Sequence, residues 1–235
     1  MRAILLCAGR GSRLLPLTME HPKCLVPVHG KAILDHQIEA LRAAGIDRFT
    51  IIGGYRIAEI AAHLESYPAA ERPELLANPF WSLTSSIASL WFARERMQGA
   101  FCIANGDVIF ATDVVRGALD RMQPGMNLLV EQAPGHLDDM RVAIDGTRVA
   151  AVSKTLDPQV ALYRSLGILL SPSGGDSYRA MVETIVNEDG GPGQFHHEVV
   201  NRLCAREPVH AIEIHERWTE IDSPQDIEAW NQVGP

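Results

Sequence analysis

Two hydrophobic periods alternate along this chain. Short aliphatic and β-branched runs at residues 3–7, 49–52, 100–104 and 127–130 read as buried strands. Between them lie stretches with the 3.6-residue period of amphipathic helices. Leu34, Ile38 and Leu41 share one helical face between Lys31 and Gly45, and Gly45 stands where a left-handed C-terminal cap is expected. A second helix is predicted from about Thr84 to Met97, with Ile87, Leu90 and Trp91 inward and Arg94, Glu95 and Arg96 toward water. A third is predicted over 178–186, between turn-rich residues 171–175 and 190–193, the latter expected to be a mobile substrate loop. Such alternation implies an α/β fold with a doubly wound, mostly parallel (Rossmann-like) sheet. Residues 140–144 and 147–152 flank Asp145-Gly146, a type I′ turn dipeptide, so an antiparallel hairpin insertion is expected. No internal repeat interrupts the pattern, and one domain over residues 1–235 is expected.

Composition narrows the partners. A net charge of −8 speaks against a nucleic-acid backbone as main partner, while leaving room for a local basic pocket. No apolar run approaches the ~20 residues of a membrane span, and the first apolar run is too short for a signal-peptide core. Cys7, Cys24, Cys102 and Cys204 are scattered without a CxxC pair, which argues against a thiolate metal site and for a reduced, cytoplasmic setting.

The first strand runs into Leu6-Cys-Ala-Gly-Arg-Gly-Ser-Arg-Leu14, a loop that brings several backbone N–H groups together with little side-chain bulk and so can cradle phosphates. It is neither GxxxxGK[ST] nor GxGxxG, because Leu14 stands where the third glycine would be. Arg13 and Lys23 add positive charge, and Pro22 stiffens the segment presenting Lys23. A further strand ends in Asn105-Gly-Asp107, which places a carboxylate at the C-terminal sheet edge, where open α/β folds bind ligands. Asp107 is a natural Mg2+ ligand there, and Mg2+ calls for a second carboxylate or ligand phosphates beside it.

These segments resemble the signature of the sugar-nucleotide-type nucleotidyltransferases, L-x-x-G-x-G-x-R-L, then P-L-T, then P-K-x-L-x-P-V-x-G-K. The chain supplies Leu6 to Leu14, Pro16-Leu-Thr18 and Pro22-Lys-Cys-Leu-Val-Pro-Val-His-Gly-Lys31. The resemblance implies that Leu6, Ala8, Gly9, Gly11, Ser12, Arg13, Lys23, Gly54 and Asn105 bind the nucleotide, with Lys23 and Arg13 catalytic. It also places a second Mg2+ ligand at Asp222, in Trp218-Thr-Glu-Ile-Asp-Ser-Pro-Gln-Asp-Ile227; Asp222 and Ser223 equally suit the cap of a following helix, with Pro224 in its first turn.

The whole chain is similar to the small cytidylyltransferases that act on phosphocholine or aminoalkylphosphonates. Gly53-Gly-Tyr55, Asn78-Pro-Phe-Trp81 through Ile87-Ala-Ser-Leu-Trp-Phe-Ala93, and the Trp218 segment carry that likeness, and the length leaves no room for the extra C-terminal domain of many hexose-1-phosphate enzymes. Ser85-Ser86 stands where those relatives have Asn-Asn, and serine caps a helix as well. Lys154, followed by Tyr163-Arg-Ser-Leu-Gly-Ile168, matches a family lysine that meets the acceptor phosphate; an exposed strand-end lysine is the alternative. For a cationic amine acceptor, Trp81, Trp91, Tyr163 and Trp218 offer aromatic faces and Glu198 a carboxylate, against core packing for any one tryptophan. His196 and His197 lack zinc-motif spacing.

The resemblance implies attack by an acceptor phosphate or phosphonate oxygen on the α-phosphorus of CTP, with pyrophosphate leaving. It leaves open another NTP with a hexose- or polyol-1-phosphate, a nucleotide-sensing regulatory subunit without catalysis, and a homodimer.

Overall fold

The computed structural model describes residues 1–133 and 139–232. Its first half runs β1 (Arg2–Cys7), α1 (Leu17–Glu20), β2 (Pro27–Val28), β3 (Lys31–Ala32), α2 (Ile33–Ala43), β4 (Arg48–Gly53), α3 (Ile57–Leu64), β5 (Glu74–Ala77) and α4 (Ser86–Phe92). There follow β6 (Phe101–Asn105), β7 (Val108–Phe110), α5 (Thr112–Arg121), β8 (Met126–Gln132), β9 (Arg141–Asp145), β10 (Arg148–Ser153) and β11 (Tyr163–Ser171). The chain ends with α6 (Asp176–Val186), α7 (His197–Leu203), β12 (Val209–Glu213), β13 (Trp218–Glu220) and α8 (Pro224–Gln232).

Nine strands form one sheet in the order β5-β4-β1-β6-β11-β8-β12-β10-β9. Successive strand residues point to opposite faces, so β1 splits its side chains between two cores. Ala3, Leu5 and Cys7 join α2, α3 and α5 on one face, while Ile4 and Leu6 face α4, α6 and α7 on the other. The sheet is thus covered by helices on both sides. The expected mostly parallel character holds for β5, β4, β1 and β6. Beyond β6 the sheet is mixed: β11 enters antiparallel between β6 and β8, and β12 returns parallel to β8. The Asp145-Gly146 hairpin forms as β9 and β10, with Gly146 at φ 60°, and β9 also pairs with the start of β11.

Two local expectations change. The helix expected over 84–97 stops at Phe92 and continues as a 3-10 turn, Arg94–Arg96. Arg94 ends it by donating from Nη1 to the Trp91 carbonyl at 2.8 Å while its guanidinium lies 4.1 Å from the Trp91 ring centroid. Nor do Ser85 and Ser86 cap α4 with their side chains. The N–H groups of Ser85 and Ile87 donate instead to the carbonyls of Pro192 (2.9 Å) and Gln194 (3.4 Å). The segment at 190–193 is therefore a short 3-10 turn pinned against the start of α4, not a free loop. Gly45 takes φ 90° just past α2, as expected of a C-terminal cap.

A third, smaller core assembles the future site. Leu14, Val26, Val28, Ile33, Ile109, Ile221 and Trp230 pack together, tying the end of the glycine loop to β2, β7 and α8. The β7–β13 pair sets Glu220 opposite Val108, and Ile221 N–H donates to the Asp107 carbonyl at 2.8 Å. Truncating Ile221, which is fully buried, to alanine is expected to cost about 2–5 kcal/mol in urea melts. It should also lower activity, because the adjacent Asp222 loses its anchor.

Candidate active site

A cleft of about 300 Å³ opens at the C-terminal ends of β1 and β6. Leu6, Ala8, Gly9 and Arg13 form one wall, Asn105, Gly106, Asp107, Glu220 and Asp222 the floor, and Trp81, Thr84, Ser85 and Ser86 with Lys154 and Phe195 the far side.

At the floor Lys23 Nζ bridges the two carboxylates, 2.7 Å from Asp107 Oδ2 and 2.5 Å from Asp222 Oδ1. Arg13 Nη2 lies 2.7 Å from Asp222 Oδ2. The lysine is held in place by the loop: Gly11 has φ 70°, and a Cβ there would come within 2.9 Å of the Lys23 side chain. Thr18 Oγ1 donates to the Gly11 carbonyl at 2.9 Å, fixing the loop from below. Burial opposes the charge on Lys23, but the fields and hydrogen bonds of Asp107 and Asp222 outweigh it and raise the lysine pKa. The carboxyl of Glu220 is pushed up to about 8, first by burial and then by the same two aspartates. Among the described residues, Asp107, Glu220 and Asp222 are the carboxylates lining the cleft, and Asp107 Oδ1 is buried without a hydrogen-bond partner. A buried carboxylate oxygen without a donor is costly unless a cation or water meets it.

His196 and His197 form the back of the far wall and line the cleft, their ring centroids 4.1 Å apart. Both are buried and packed rather than solvated. His196 Nε2 is 3.0 Å from Asn105 Oδ1, and His197 Nε2 is 2.9 Å from Ser165 Oγ. Burial lowers the pKa of His196 to about 4; burial, then His196 and Lys154, depress that of His197 well below the usual value. Below pH ~6.5 the unfolded chain therefore takes up protons that the native state refuses. Each histidine is expected to withdraw about 1 kcal/mol of stability between pH 7.5 and 5.5, while Glu220, which holds its proton in the native state up to about pH 8, gains stability as the pH falls over the same interval and offsets that loss. Urea melts of wild type and Glu220→Gln at the two pH values check this: without the Glu220 contribution the histidine fall should stand alone, and a flat profile in Glu220→Gln contradicts neutral burial of the pair.

The structure gathers most of the residues expected from sequence. Leu6, Ala8, Gly9, Arg13, Asn105, Asp107, Asp222, Lys154 and Trp81 line the cleft. Gly11 and Ser12 lie on the loop that forms its wall, Lys23 reaches its floor from the 3-10 turn after α1, and Gly54 sits beside it, where Tyr55 N–H donates to the Ala8 carbonyl at 2.9 Å. Ser223 and Pro224 start α8, with Asp226 accepting from the backbone of Asp222 and Ser223; Asp222 itself turns to Lys23 and Arg13.

Three expected acceptor residues do not reach the cleft lining. Glu198 pairs along α7 with Arg202, 2.7 Å away. Trp218 is 8% exposed, and the Arg164 guanidinium lies 4.6 Å from its ring centroid. Tyr163 is taken up by β11 pairing and packs against the core beneath α4 and α6. Trp91, named with them, packs against the same core. Sequence reasoning missed Glu220, Asn78 and Phe195 as lining residues. Glu220 was within reach, since β-strand alternation puts residues 220 and 222 of the Trp218 segment on one face. Phe195 carried no such signal; it meets Lys154, whose Nζ is 5.1 Å from its ring centroid.

A glycine loop at the end of the first strand, with a lysine, an arginine and two aspartates converging beneath it, defines a Rossmann-like nucleotide-binding α/β protein. The chain belongs to the MobA-like NTP transferase domain family, whose model matches residues 3–189. It is 33% identical over 122 residues to the CTP:phosphoglutamine cytidylyltransferase of Campylobacter jejuni, covering 49% of this chain and 47% of that protein. It is 26% identical to the 2-aminoethylphosphonate cytidylyltransferase of Lancefieldella rimae, covering 97% and 91% of the two chains. The chain spans about half the length of the first curated relatives it matches. In fold it is similar to the CTP:phosphocholine cytidylyltransferase of Streptococcus pneumoniae, with TM-score 0.79, 20% identity, and coverage of 99% of this chain and 98% of that one. Among the described residues no helix is long and apolar enough to cross a membrane.

Proposed function

We propose that this protein transfers CMP from CTP to a small phosphorylated or phosphonylated acceptor, with release of pyrophosphate. The observation that carries the reading is the bridge from Lys23 to Asp107 and Asp222 at the mouth of the glycine loop. It combines a phosphate-neutralising cation with a pair of carboxylates suited to a hard divalent ion. The cytidylyltransferase relatives, which act on phosphoglutamine and 2-aminoethylphosphonate, support CTP and a small acceptor.

The donor set suits Mg2+. Asp107 and Asp222 would hold the ion, Asp107 Oδ1 being buried without a partner, and a small protein ligand count matches an ion that keeps waters and substrate phosphates. When bound, Mg2+ supplies charge neutralisation at the transferring phosphoryl group. The chain's own residues do the rest. Loop N–H groups from Ala8 to Ser12 hold the triphosphate, and Arg13 and Lys23 stabilise charge that grows on the leaving pyrophosphate. Lys154 orients the acceptor's phosphate for in-line attack at the α-phosphorus. The acceptor oxygen is already anionic near neutral pH, so no protein nucleophile is required; bringing two anions together is the main task.

The test is pyrophosphate release with each of four nucleoside triphosphates against phosphocholine, 2-aminoethylphosphonate, inositol phosphate and glucose-1-phosphate. Release with CTP and a non-sugar acceptor is expected. Release confined to another triphosphate and a sugar phosphate contradicts the cytidylyl reading.

A further inference from the structure

Asn105 ends β6 two residues before Asp107, and in the strand register it lies opposite Leu6, the first residue of the glycine loop. Gly106 N–H donates to the Leu6 carbonyl at 3.0 Å, so the Asn105 side chain sits at the root of that loop. Its backbone and its side-chain amide are each held by a buried partner. His196 Nε2–H donates to Asn105 Oδ1 at 3.0 Å, and Gln37 Nε2 donates to the Asn105 carbonyl at 2.6 Å. Gly167, at φ 69°, leaves the space that Asn105 Nδ2 fills; a Cβ there would overlap it.

The contacts close into a ring. His196 lies against His197, whose Nε2 meets Ser165 Oγ at 2.9 Å, and that oxygen accepts from Gly167 N–H at 2.9 Å. Gly167 in turn backs Asn105. The ring ties β6 to β11 and the start of α7, and the His196 backbone N–H donates to Ser86 Oγ at 2.8 Å on the same side of the cleft. Asn105 Nδ2 has no hydrogen-bond partner among the described residues, although the side chain lines the cleft. A donor fixed in this way and facing the cleft is preset for an acceptor that a ligand brings in place of water.

We infer that His196 is a positioning residue: through this closed ring of buried polar contacts it fixes the Asn105 amide as a hydrogen-bond donor to an oxygen of the bound nucleoside triphosphate. The inference rests on the proposed use of CTP and goes beyond it, because it assigns a role to a histidine outside the loop, the carboxylates and the acceptor side. Burial keeps His196 neutral at physiological pH, and the amide oxygen facing Nε2 selects the tautomer that carries its proton there.

The experiment is calorimetric binding of CTP with Mg2+ to the full chain and to the variants His196→Phe, His196→Gln, Asn105→Ala and His196→Phe/Asn105→Ala. Phenylalanine keeps the ring against His197 and removes the N–H; glutamine places an amide N–H where Nε2 stands. His196→Phe is expected to weaken CTP about tenfold, the worth of one hydrogen bond, and His196→Gln to stay within about twofold of wild type. In the Asn105→Ala background the His196→Phe change is expected to have no further effect, since its route to the ligand is gone. Equal binding by His196→Phe and wild type overturns the inference, as does an undiminished His196→Phe effect without Asn105. If His196→Phe fails to fold, His196→Leu enters the same cycle. Failure of the wild-type chain to bind CTP sinks the cytidylyl reading itself, and the inference with it, and is distinguished from the other outcomes by the wild-type trace alone.

Discussion

Replacing Lys23 with alanine is expected to lower turnover on the order of 10³-fold while the sheet stays folded. The lysine is 12% exposed and at hydrogen-bond distance from two aspartates that face the cleft. Its loss removes charge where pyrophosphate departs and leaves Asp107 and Asp222 facing each other. In EDTA, the variant is therefore expected to melt lower than wild type, by about 1–2 kcal/mol because both carboxylates are partly solvated, and Mg2+ should restore much of that difference. Lys23→Arg is expected to rescue little, since a planar fork does not fit the gap that a compact ammonium fills. Steady-state pyrophosphate release with circular-dichroism melts separates the two effects. Turnover within tenfold of wild type in Lys23→Ala contradicts the assigned role.

The pair Asp107→Asn and Asp222→Asn is expected to give the next largest loss, on the order of 10²-fold or more at the Mg2+ level that saturates wild type. Each change keeps the side-chain shape and removes one negative charge. Raising Mg2+ should recover part of the rate, which identifies the defect as one of ion affinity. Asp222→Asn is expected to be the more severe, because Asp222 also holds Arg13 at 2.7 Å. Wild-type rates at wild-type Mg2+ in both variants would falsify the carboxylate assignment.

The parts of this site that rest on local pattern could be read directly from the chain. Strand β1, the glycine loop and Asp107 lie where a strand ends and a loop must turn, so period and glycine placement locate them, whereas Lys23 and Asp222 come from the family signature. The Asp145-Gly146 turn and the Gly45 cap are local for the same reason. What depended on distant packing was less accessible. Nothing in the period of β11 says that it slots antiparallel between β6 and β8, so the pattern predicts the β9–β10 hairpin but not the mixed order beyond β6. Glu198, Tyr163 and Trp218 have suitable chemistry for an ammonium, but Arg202, strand pairing and Arg164 claim them, and partners remote in sequence leave no periodic trace. The α4 start shows the same limit: its serines suit a cap, yet carbonyls a hundred residues on satisfy those N–H groups first.

The bond broken in the nucleotide is the most direct measure of the account. Phosphorus NMR of CTP incubated with this protein, Mg2+ and 2-aminoethylphosphonate or phosphocholine follows every phosphorus atom at once. Cleavage between the α- and β-phosphorus is predicted, with pyrophosphate and a CMP-acceptor anhydride appearing in equal amounts and both absent with Lys23→Ala. Inorganic phosphate and CDP as products, or CTP unchanged with every acceptor, would contradict it.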